Sequence, residues 1–489
     1  MGVTEPATTG EPEGPRTPKS RFDRYFMITE RGSTMVREVR GGLVTFFAMS
    51  YIVVLNPLIV GTAADVTGAT LGVERVAAAT ALVAGLMTLL MGIVGRYPLA
   101  LATGLGLNAF VALVLAAQMT WAEAMGLVVI EGLIITALVL TGFRTAVFEA
   151  IPLQLKTAIS VGIGLFIAFV GLVNGGIVRR TPSGPVPVQL GIGGNLQSLP
   201  TVVFVFGLLL TAILVARRVK AGILIGIVAA TVFSIVLEAV VGIGAATQKD
   251  PSGWSLVVPT PPDDFFTLPD LSLLGRVDLI GAFFSVGAIT ATLLVFTLLL
   301  ADFFDTMGTV VGVGAEAQLL DRNGRLPGVG RVLFVDSIAA ASGGAASVSS
   351  NTTYIESAAG VGEGARTGVA SLVTGALFLL AMFLTPLVSV VPFEAASPAL
   401  VVVGFLMATQ VRNIDFTDYA IGIPAFLTMI LMPFTYSITN GIGAGFISYA
   451  VIRIAQGRAR ELHGLFWFIT VLFVAYFAIV PIQGALGAR

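Results

Sequence analysis

The most regular feature of this sequence is a succession of apolar segments separated by short polar connections. Each segment is about twenty residues long, the length that an α-helix needs to cross roughly 30 Å of hydrocarbon. The segments of a first set begin near residues 41, 77, 99, 122, 152, 200 and 221, and those of a second set begin near residues 283, 330, 350, 367, 396, 418 and 436. We number them spans 1–14, and the pattern predicts an all-α polytopic membrane protein.

The polar stretches between the segments divide the chain into five parts. They are an N-terminal tail (1–40), a first repeat (41–245), a linker rich in proline and acids (246–282), a second repeat (283–455), and a C-terminal apolar segment with a tail (456–489). An odd number of crossings in each set gives the two sets opposite orientations, which predicts a 7+7 inverted repeat. The surplus apolar stretch at 463–483 is an extra crossing, an interfacial helix, or a sign that one of the last spans is wrongly divided.

Basic residues predict the orientation of the chain. The tail and alternate connections carry lysine and arginine, for example Arg40, Arg96, Lys220, Arg331 and Arg366. Because cytoplasmic loops are enriched in these residues, we expect the N-terminus in the cytoplasm and the linker outside the cell. The tail lacks the apolar core of a signal peptide.

Composition narrows the possible chemistry. Of the 489 residues 56% are hydrophobic and 11% are charged, with no cysteine and one histidine. Disulfides, thiolate chemistry and multi-histidine metal sites are therefore excluded. The balance of 27 basic against 28 acidic residues gives no sign of nucleic-acid binding. With no recognisable hydrolase motif, we expect a protein that is not an enzyme and needs no cofactor.

Spans 3 and 10 are interrupted in matching places, at PLALATGLGLNAFVAL and SVSSNTTYIESAAGVGEG. In each, a glycine- or hydroxyl-rich stretch (Thr103–Leu107, Ser347–Thr353) precedes a short apolar helix. Non-helical backbone is tolerated at membrane depth only where it is buried in protein or lines a cavity. We expect two short extended strands that pair and a binding site between the half-helices that follow. The alternative, that the glycines only allow close helix packing, does not explain Asn108, Asn351 and Glu356.

Acidic residues in the spans indicate the kind of ligand. Asp302, Asp305, Thr306 and Thr309 lie on one helical face, which cannot point at lipid. With Glu356 they form a pocket without lysine or arginine, suited to a neutral ligand with several N–H donors or to a cation. Carboxylates crowded in a low-dielectric site bind protons more tightly, so ligand and proton binding can be coupled. The alternative for either aspartate is a structural hydrogen bond to a neighbouring helix.

Two further acids, Glu131 and Asp336, lie within spans. We expect Glu131 to make one interhelical hydrogen bond. Asp336 lies five positions after Arg331 along the chain. We expect these two residues to form a local ion pair near the inner boundary.

Four stretches identify a family resemblance. They are TGLGLNAF (103–110), DFFDTMGT (302–309), TTYIESAAGVGEGARTG (352–368) and MPFTYSITNGIGAGFISY (432–449). In this order they resemble the AzgA-like purine permeases, the hypoxanthine, adenine and guanine branch of the nucleobase/cation symporters (nucleobase-ascorbate transporter superfamily). The resemblance extends from about residue 20 to 460. Ser357 stands where the ascorbate and uracil/xanthine branch usually has asparagine, which favours the AzgA-like branch.

The resemblance implies a division into two domains. A core domain would comprise spans 1–4 and 8–11 (approximately 41–145 and 283–391), and a gate domain would comprise spans 5–7 and 12–14 (approximately 146–245 and 392–483). It also implies a multi-pass protein of the plasma membrane that imports purine bases, with a homodimer as the possible assembly. Proton symport is the expected coupling, with Na⁺ as the alternative ion.

The resemblance also assigns site residues. A span-8 carboxylate and a span-10 glutamate hold the base in such proteins, and these positions correspond to Asp302 and Glu356, with Asp305 one turn further on. The candidate substrate-binding residues are Glu356, Asp302, Asn108, Asp305, Thr306, Phe303, Thr353 and Ser357. The candidate proton-coupling residues are Asp302, Asp305 and Glu356. Phe110, Phe303 or Phe304 would supply an apolar face for the flat base.

Two rival transport functions use the same fold. A channel would need a continuous wet pore, which a dense carboxylate pocket opposes. An anion transporter of the sulfate-permease type should carry a basic residue or bare helix dipoles at the span-10 break, where this chain has Glu356.

Overall fold

The computed structural model describes residues 20–141, 152–181, 186–247, 250–262, 264–321 and 326–485. Of Phe304 it describes the backbone only. The predicted core–gate boundary near residues 145 and 146 lies outside these ranges. A short helix, Arg21–Phe26, precedes the first span.

The first repeat contains the seven expected spans. They are Met35–Met49 with Ile52–Val60 (span 1), Val73–Leu90 with the π-helical turn Met91–Gly95 (span 2), strand β1 Leu101–Thr103 with helix Leu105–Phe110 and π-helical turn Val111–Leu115 (span 3), Trp121–Leu140 (span 4), Leu153–Asn174 (span 5), Leu199–Ala216 (span 6) and Gly222–Val241 (span 7). Between spans 5 and 6, strands β2 (Val178–Arg180) and β3 (Val188–Leu190) form an antiparallel hairpin.

The second repeat follows the short helix Gly281–Ser285. Its spans are Ala288–Glu316 (span 8), Val329–Ala345 (span 9), strand β4 Asn351–Thr353 with helix Ser357–Gly362 (span 10), Gly368–Ala381 with the 3-10 turn Met382–Leu384 (span 11), Phe393–Ala408 with the 3-10 turn Thr409–Asn413 (span 12), Tyr419–Phe434 (span 13) and Ile438–Ala455 (span 14). Pro386–Ser389 forms a short helix before span 12, and Ala459–Glu461 forms a 3-10 turn after span 14.

Local sequence signals explain where several helices begin. Span 1 begins six residues before the predicted position 41, because the Thr34 side chain accepts a hydrogen bond from the Arg37 amide. Span 4 begins with a capping box, in which Thr120 and Glu123 accept hydrogen bonds from each other's backbone amides. Within the described ranges, eight helices are each long and apolar enough to cross a membrane, and five shorter apolar helices accompany them.

The surplus apolar stretch forms a helix of its own, Gly464–Ala485. It packs against spans 14 and 8, and the rings of Phe446 and Phe466 stack with their centroids 4.8 Å apart. Spans 12, 13 and 14 each form a helix of their own in addition to this one. This excludes the alternative that one of the last spans is wrongly divided.

Interhelical contacts fall into two groups. Span 4 packs on span 9, and spans 1 and 2 pack on span 11. Separately, span 5 packs on spans 12 and 13, and span 6 packs on spans 7 and 12. In the first group, spans 2 and 11 approach so closely that a Cβ added to Gly368 would lie 2.0 Å from the carbonyl oxygen of Gly92. Only glycine fits at this contact.

Basic residues from several connections meet on one face. Nη1 of Arg31 donates to the backbone carbonyls of Arg96 at 2.6 Å and Arg366 at 3.0 Å. On the same face Arg40, at the start of span 1, and Lys220, between spans 6 and 7, both form ion pairs with Glu363. The connections that the sequence assigns to the cytoplasm therefore share one face.

Candidate functional site

The two interrupted spans pair with each other, as the sequence predicts. Strands β1 and β4 are antiparallel, with Leu101 opposite Thr353 and Thr103 opposite Asn351. The amide of Gly104 extends the pairing by donating to the Ser350 carbonyl at 3.0 Å. The extended part of span 3 ends at Thr103, the residue at which the sequence pattern predicts that it begins. The apolar residues that follow continue directly into a helix.

The backbone before β4 adopts an uncommon conformation. Ser347 and Ser349 have φ angles of 59° and 78°, in the left-handed region that non-glycine residues seldom occupy. Span 9 lies directly against this turn, since a Cβ added to Gly343 would be 2.0 Å from the Ser349 carbonyl oxygen. Such strain persists only where the surroundings impose it, and it is frequent at ligand sites.

Span 8 joins β4 and span 9 through a buried hydrogen-bond network. The Thr306 hydroxyl donates to Oδ2 of Asp336 at 2.7 Å and lies 2.8 Å from the Thr352 hydroxyl. A threonine hydroxyl has one proton, and that of Thr306 is engaged in the hydrogen bond to Asp336. Thr352 is therefore the donor in the contact between the two hydroxyls. Oδ1 of Asp336 accepts from the amide of Thr353 at 3.0 Å and from its hydroxyl at 2.8 Å.

This network changes the role of two residues. Asp336 was expected to pair with Arg331, but both of its carboxylate oxygens accept hydrogen bonds from spans 8 and 10, and its side chain is fully buried. Spacing along the helix could not show this, because the donors are 17 and 30 positions away in the chain. Thr353 is a candidate substrate ligand, but its hydroxyl donates its hydrogen bond to Asp336.

The two span-8 aspartates occupy different environments. Asp302 is fully buried and lies close to Glu131 of span 4. Oε2 of Glu131 accepts from the Ser350 hydroxyl at 3.2 Å, so the interhelical hydrogen bond expected of Glu131 is present. Asp305, one turn further along, is only partly buried.

Glu356 lies at the N-terminal end of the span-10 half-helix and is also partly buried. Its Oε1 accepts a hydrogen bond from the hydroxyl of Tyr51, which lies at the interruption between the two helices of span 1. The Tyr354 hydroxyl donates to the Thr103 carbonyl at 2.5 Å. Tyr51, Tyr354, Asp305 and Glu356 are close enough to interact electrostatically.

Other predicted ligands make internal contacts. Nδ2 of Asn108 donates to the Thr103 hydroxyl at 3.1 Å. The Ser357 hydroxyl accepts from the Ala100 amide at 3.0 Å. Phe110 and Phe303 are buried in the hydrophobic core, while the Phe304 side chain lies outside the described part of the structure.

A narrow crevice of about 20 Å³, room for a water molecule, lies beside Asp305. Span 3 and span 8 line one wall, and spans 5 and 12 line the other. The lining residues are Gly106, Leu107, Ala301, Asp305, Ile159, Ser160, Ile163 and Met407. None of them is basic. One carboxylate in an otherwise largely apolar lining is the arrangement that orients a polar ligand.

Tyr51 is a site residue that the sequence pattern does not predict. Its signal is a tyrosine in the middle of an apolar span, where a phenolic hydroxyl needs a hydrogen-bond partner. Nothing in the local pattern identifies that partner, because Tyr51 and Glu356 are 305 positions apart.

Comparison with known proteins agrees with this architecture. Residues 37–478 match the model of the Permease family (Xan_ur_permease). The guanine/hypoxanthine permease PbuG of Bacillus subtilis is 40% identical over 93% of this chain and 98% of its own length. The adenine permease AdeP of Escherichia coli K12 is 36% identical over 93% of this chain and 95% of its own length.

Solved structures share the fold at low sequence identity. The transmembrane domain of the cyanobacterial bicarbonate transporter BicA has a TM-score of 0.57 and 16% identity, covering 84% of this chain and 96% of that one. SLC26A9 also has a TM-score of 0.57, with 12% identity over 90% of this chain and 67% of that one. These likenesses support the 7+7 inverted-repeat fold and carry no argument about substrate.

The family match, the similar permeases and the paired breaks agree with the resemblance found in the sequence. The chain is therefore a multi-pass membrane protein that belongs to the Permease family, within the nucleobase-ascorbate transporter group.

Proposed function

We propose that this protein imports purine nucleobases by proton symport and that Asp305 and Glu356 bind the base. The observation that carries the proposal is that Asp305, which lines the crevice, lies close enough to interact with Glu356 at the start of the span-10 half-helix, and that both carboxylates are only partly buried. Similar proteins include guanine/hypoxanthine and adenine permeases, which supports a purine as the substrate.

The chemistry of the site suits a purine. A purine base is flat and uncharged and presents N–H donors on its edge, and carboxylate oxygens accept such bonds strongly. Leu107, Ile163 and Met407 supply apolar surface for the ring faces. A site that hydrogen-bonds its ligand rejects analogues lacking the matching donor, because its buried acceptors would then remain unpaired.

Among the candidate ligands, exposure separates the two span-8 acids. Asp305 borders the crevice, whereas Asp302 is fully buried against Glu131. We therefore assign base binding to Asp305 and place Asp302 behind it. Asn108, Thr306, Thr353 and Ser357 support the shape of the site through their internal hydrogen bonds.

We also propose that transport moves the core domain against the gate domain. Spans 3 and 8 of the proposed core domain form one wall of the crevice and spans 5 and 12 of the proposed gate domain form the other, so relative sliding would carry Asp305 and Glu356 past spans 5 and 12. The basic face formed by Arg31, Arg40 and Lys220 would then be cytoplasmic, by the positive-inside rule.

Uptake by purified protein in liposomes tests the function. Radiolabelled guanine, hypoxanthine and adenine would be offered with an imposed pH gradient, a sodium gradient, or neither. We expect saturable uptake that the pH gradient drives, with weak competition from uracil or sulfate. Uptake driven by the sodium gradient alone would identify Na⁺, and not H⁺, as the coupling ion. Strong competition by sulfate would favour the anion-transporter alternative, and non-saturating flux would favour a channel.

A further inference from the structure

We propose that the short helix Arg21–Phe26, which precedes span 1, binds the headgroups of anionic phospholipids at the membrane surface. The ligand would be the lipid phosphate, and the binding face would comprise Arg21, Phe22, Arg24 and Tyr25. The inference concerns a surface remote from the base site and goes beyond the proposed function.

The six side chains of this helix form three rows, because residues three positions apart lie on the same side of a helix. The rows are Asp23 with Phe26, Arg21 with Arg24, and Phe22 with Tyr25. The first row is buried, and its phenylalanine packs against Val369 of span 11. The other two rows are exposed. A basic row therefore lies beside an aromatic row on the outward side, a combination typical of helices that lie on a membrane surface.

Contacts with the end of span 2 hold the aromatic row in place. The Tyr25 hydroxyl donates to the Ile93 carbonyl at 2.9 Å. Arg96 follows the π-helical turn of span 2, and its guanidinium lies 4.7 Å from the centre of the Tyr25 ring. Nη1 of Arg96 also donates to the Tyr25 carbonyl at 3.3 Å. A cation over an aromatic face is an attractive contact, so the ring is fixed in position although 44% of the residue is exposed.

The same contacts place the helix at the boundary of the membrane. Span 2 is long and apolar enough to cross a bilayer. Leu86 and Ile93 lie two turns apart on one side of it, and both are exposed. An exposed apolar side of a membrane-crossing helix is a surface for lipid. Because Tyr25 contacts Ile93 in the last turn of the span, its ring lies at the level of the headgroups, where tyrosine is enriched in membrane proteins.

The charge of this region favours an anion. In the stretch 20–40, which is described throughout, four arginines are exposed and Glu30 is the one exposed acid. The other two acids of the stretch, Asp23 and Glu38, are buried and accept hydrogen bonds from backbone amides. Anionic lipids attract basic segments at the membrane surface, and a guanidinium binds phosphate oxygens through parallel hydrogen bonds. Since the basic row lies beside an aromatic row at the headgroup level, the anion that fits is a lipid phosphate.

Lipid titration of the purified full chain tests the inference. Thermal unfolding would be followed in uncharged detergent with increasing amounts of phosphatidylglycerol or phosphatidylcholine. A ligand that binds only the folded protein raises the melting temperature, and we expect phosphatidylglycerol to raise it more than phosphatidylcholine does. In the double variant Arg21→Gln with Arg24→Gln, the phosphatidylglycerol concentration for half of the maximal rise should increase about tenfold or more. If the double variant does not fold, Arg24→Gln alone serves, with an expected increase of about fivefold.

The matched control is Arg180→Gln with Arg276→Gln, which removes two exposed arginines from the β2–β3 hairpin and the linker. Its titration should equal that of wild type. Equal weakening in both double variants would indicate a general effect of charge and overturn the inference, as would a wild-type titration in Arg21→Gln with Arg24→Gln. Equal effects of the two lipids on the wild type would do the same. A rise of the same size with inorganic phosphate would identify a site for free anions and overturn the lipid assignment. These readouts do not involve purine uptake, so failure of the proposed function would be a separate result.

Discussion

The hydroxyl of Tyr51 donates a hydrogen bond to Oε1 of Glu356, joining the interruption in span 1 to the break in span 10. Tyr51 is almost completely buried, whereas Glu356 is partly accessible. The bond therefore fixes one oxygen of the carboxylate and leaves Oε2 for a ligand. Tyr51 is a positioning residue for the base site in this interpretation.

Tyr51→Phe should weaken base binding without preventing assembly. A hydrogen bond to a charged group contributes about 1.5–3 kcal/mol, so the KM for uptake should rise about tenfold or more while the maximal rate changes less. Initial uptake rates at varied guanine concentration measure this. Tyr97→Phe is the control, because the Tyr97 hydroxyl donates to the Pro327 carbonyl at 2.7 Å, outside the base site. Equal KM values for the two variants would contradict the assignment.

Glu356→Ala should abolish purine uptake while leaving expression and membrane insertion intact. The substitution removes an acceptor that the base requires and leaves the Tyr51 hydroxyl without its partner. Glu461→Ala, at an exposed acid that pairs with Arg458 at 2.7 Å, provides the control and should transport like wild type. Uptake that survives in Glu356→Ala would remove the central residue of the site.

Asp336→Asn should lower the thermal stability of the protein. Both carboxylate oxygens accept hydrogen bonds, and an amide would turn one acceptor into a donor that faces Thr306 or Thr353. The cost is about 1–3 kcal/mol for each donor left unpaired. Asp418→Asn is the matched control, because Asp418 caps span 13 and asparagine caps helices equally well. Melting in detergent should therefore shift for the first variant only, and a similar shift for both would refute the argument.

A cross-link between Lys220 and Glu363 should stop transport. Lys220 lies in the proposed gate domain and Glu363 in the proposed core domain, and their side chains form an ion pair. The chain has no cysteine, so Lys220→Cys with Glu363→Cys creates a single thiol pair. A bifunctional, reducible thiol reagent long enough to replace the two side chains should abolish uptake, and reduction should restore it.

The control for the cross-link uses the same acid. Arg40 also pairs with Glu363 but lies in span 1, which is assigned to the same proposed core domain as Glu363. The same reagent on Arg40→Cys with Glu363→Cys should therefore leave uptake largely intact. Loss of uptake in both pairs, or in neither, would argue against movement between the two groups of spans.

The succession of apolar segments predicts the fold well, because a helix in lipid must form its backbone hydrogen bonds within itself. The length and polarity of each span can therefore be recognised from that segment alone. The paired breaks were predictable for the same reason, since glycine and hydroxyl residues interrupt apolar patterns at matching positions. The hydrogen-bond partners of the buried acids were not predictable from the sequence. Asp336 and Glu131 make contacts through tertiary packing that no local spacing encodes. Helical spacing placed Asp302 and Asp305 on one face but could not separate the buried residue from the accessible one.

The pairing of β1 with β4 has a consequence for biosynthesis. The Tyr354 hydroxyl and the Thr103 carbonyl that it contacts are 251 positions apart, and the ladder beside them joins opposite halves of the chain. When the first half enters the bilayer, the polar backbone of Leu101–Thr103 has no strand to receive it, and each unsatisfied group in lipid costs several kcal/mol. We therefore expect span 3 to stay outside the hydrocarbon, or covered by other protein, until span 10 has been synthesised and inserted. On this argument neither half folds completely without the other.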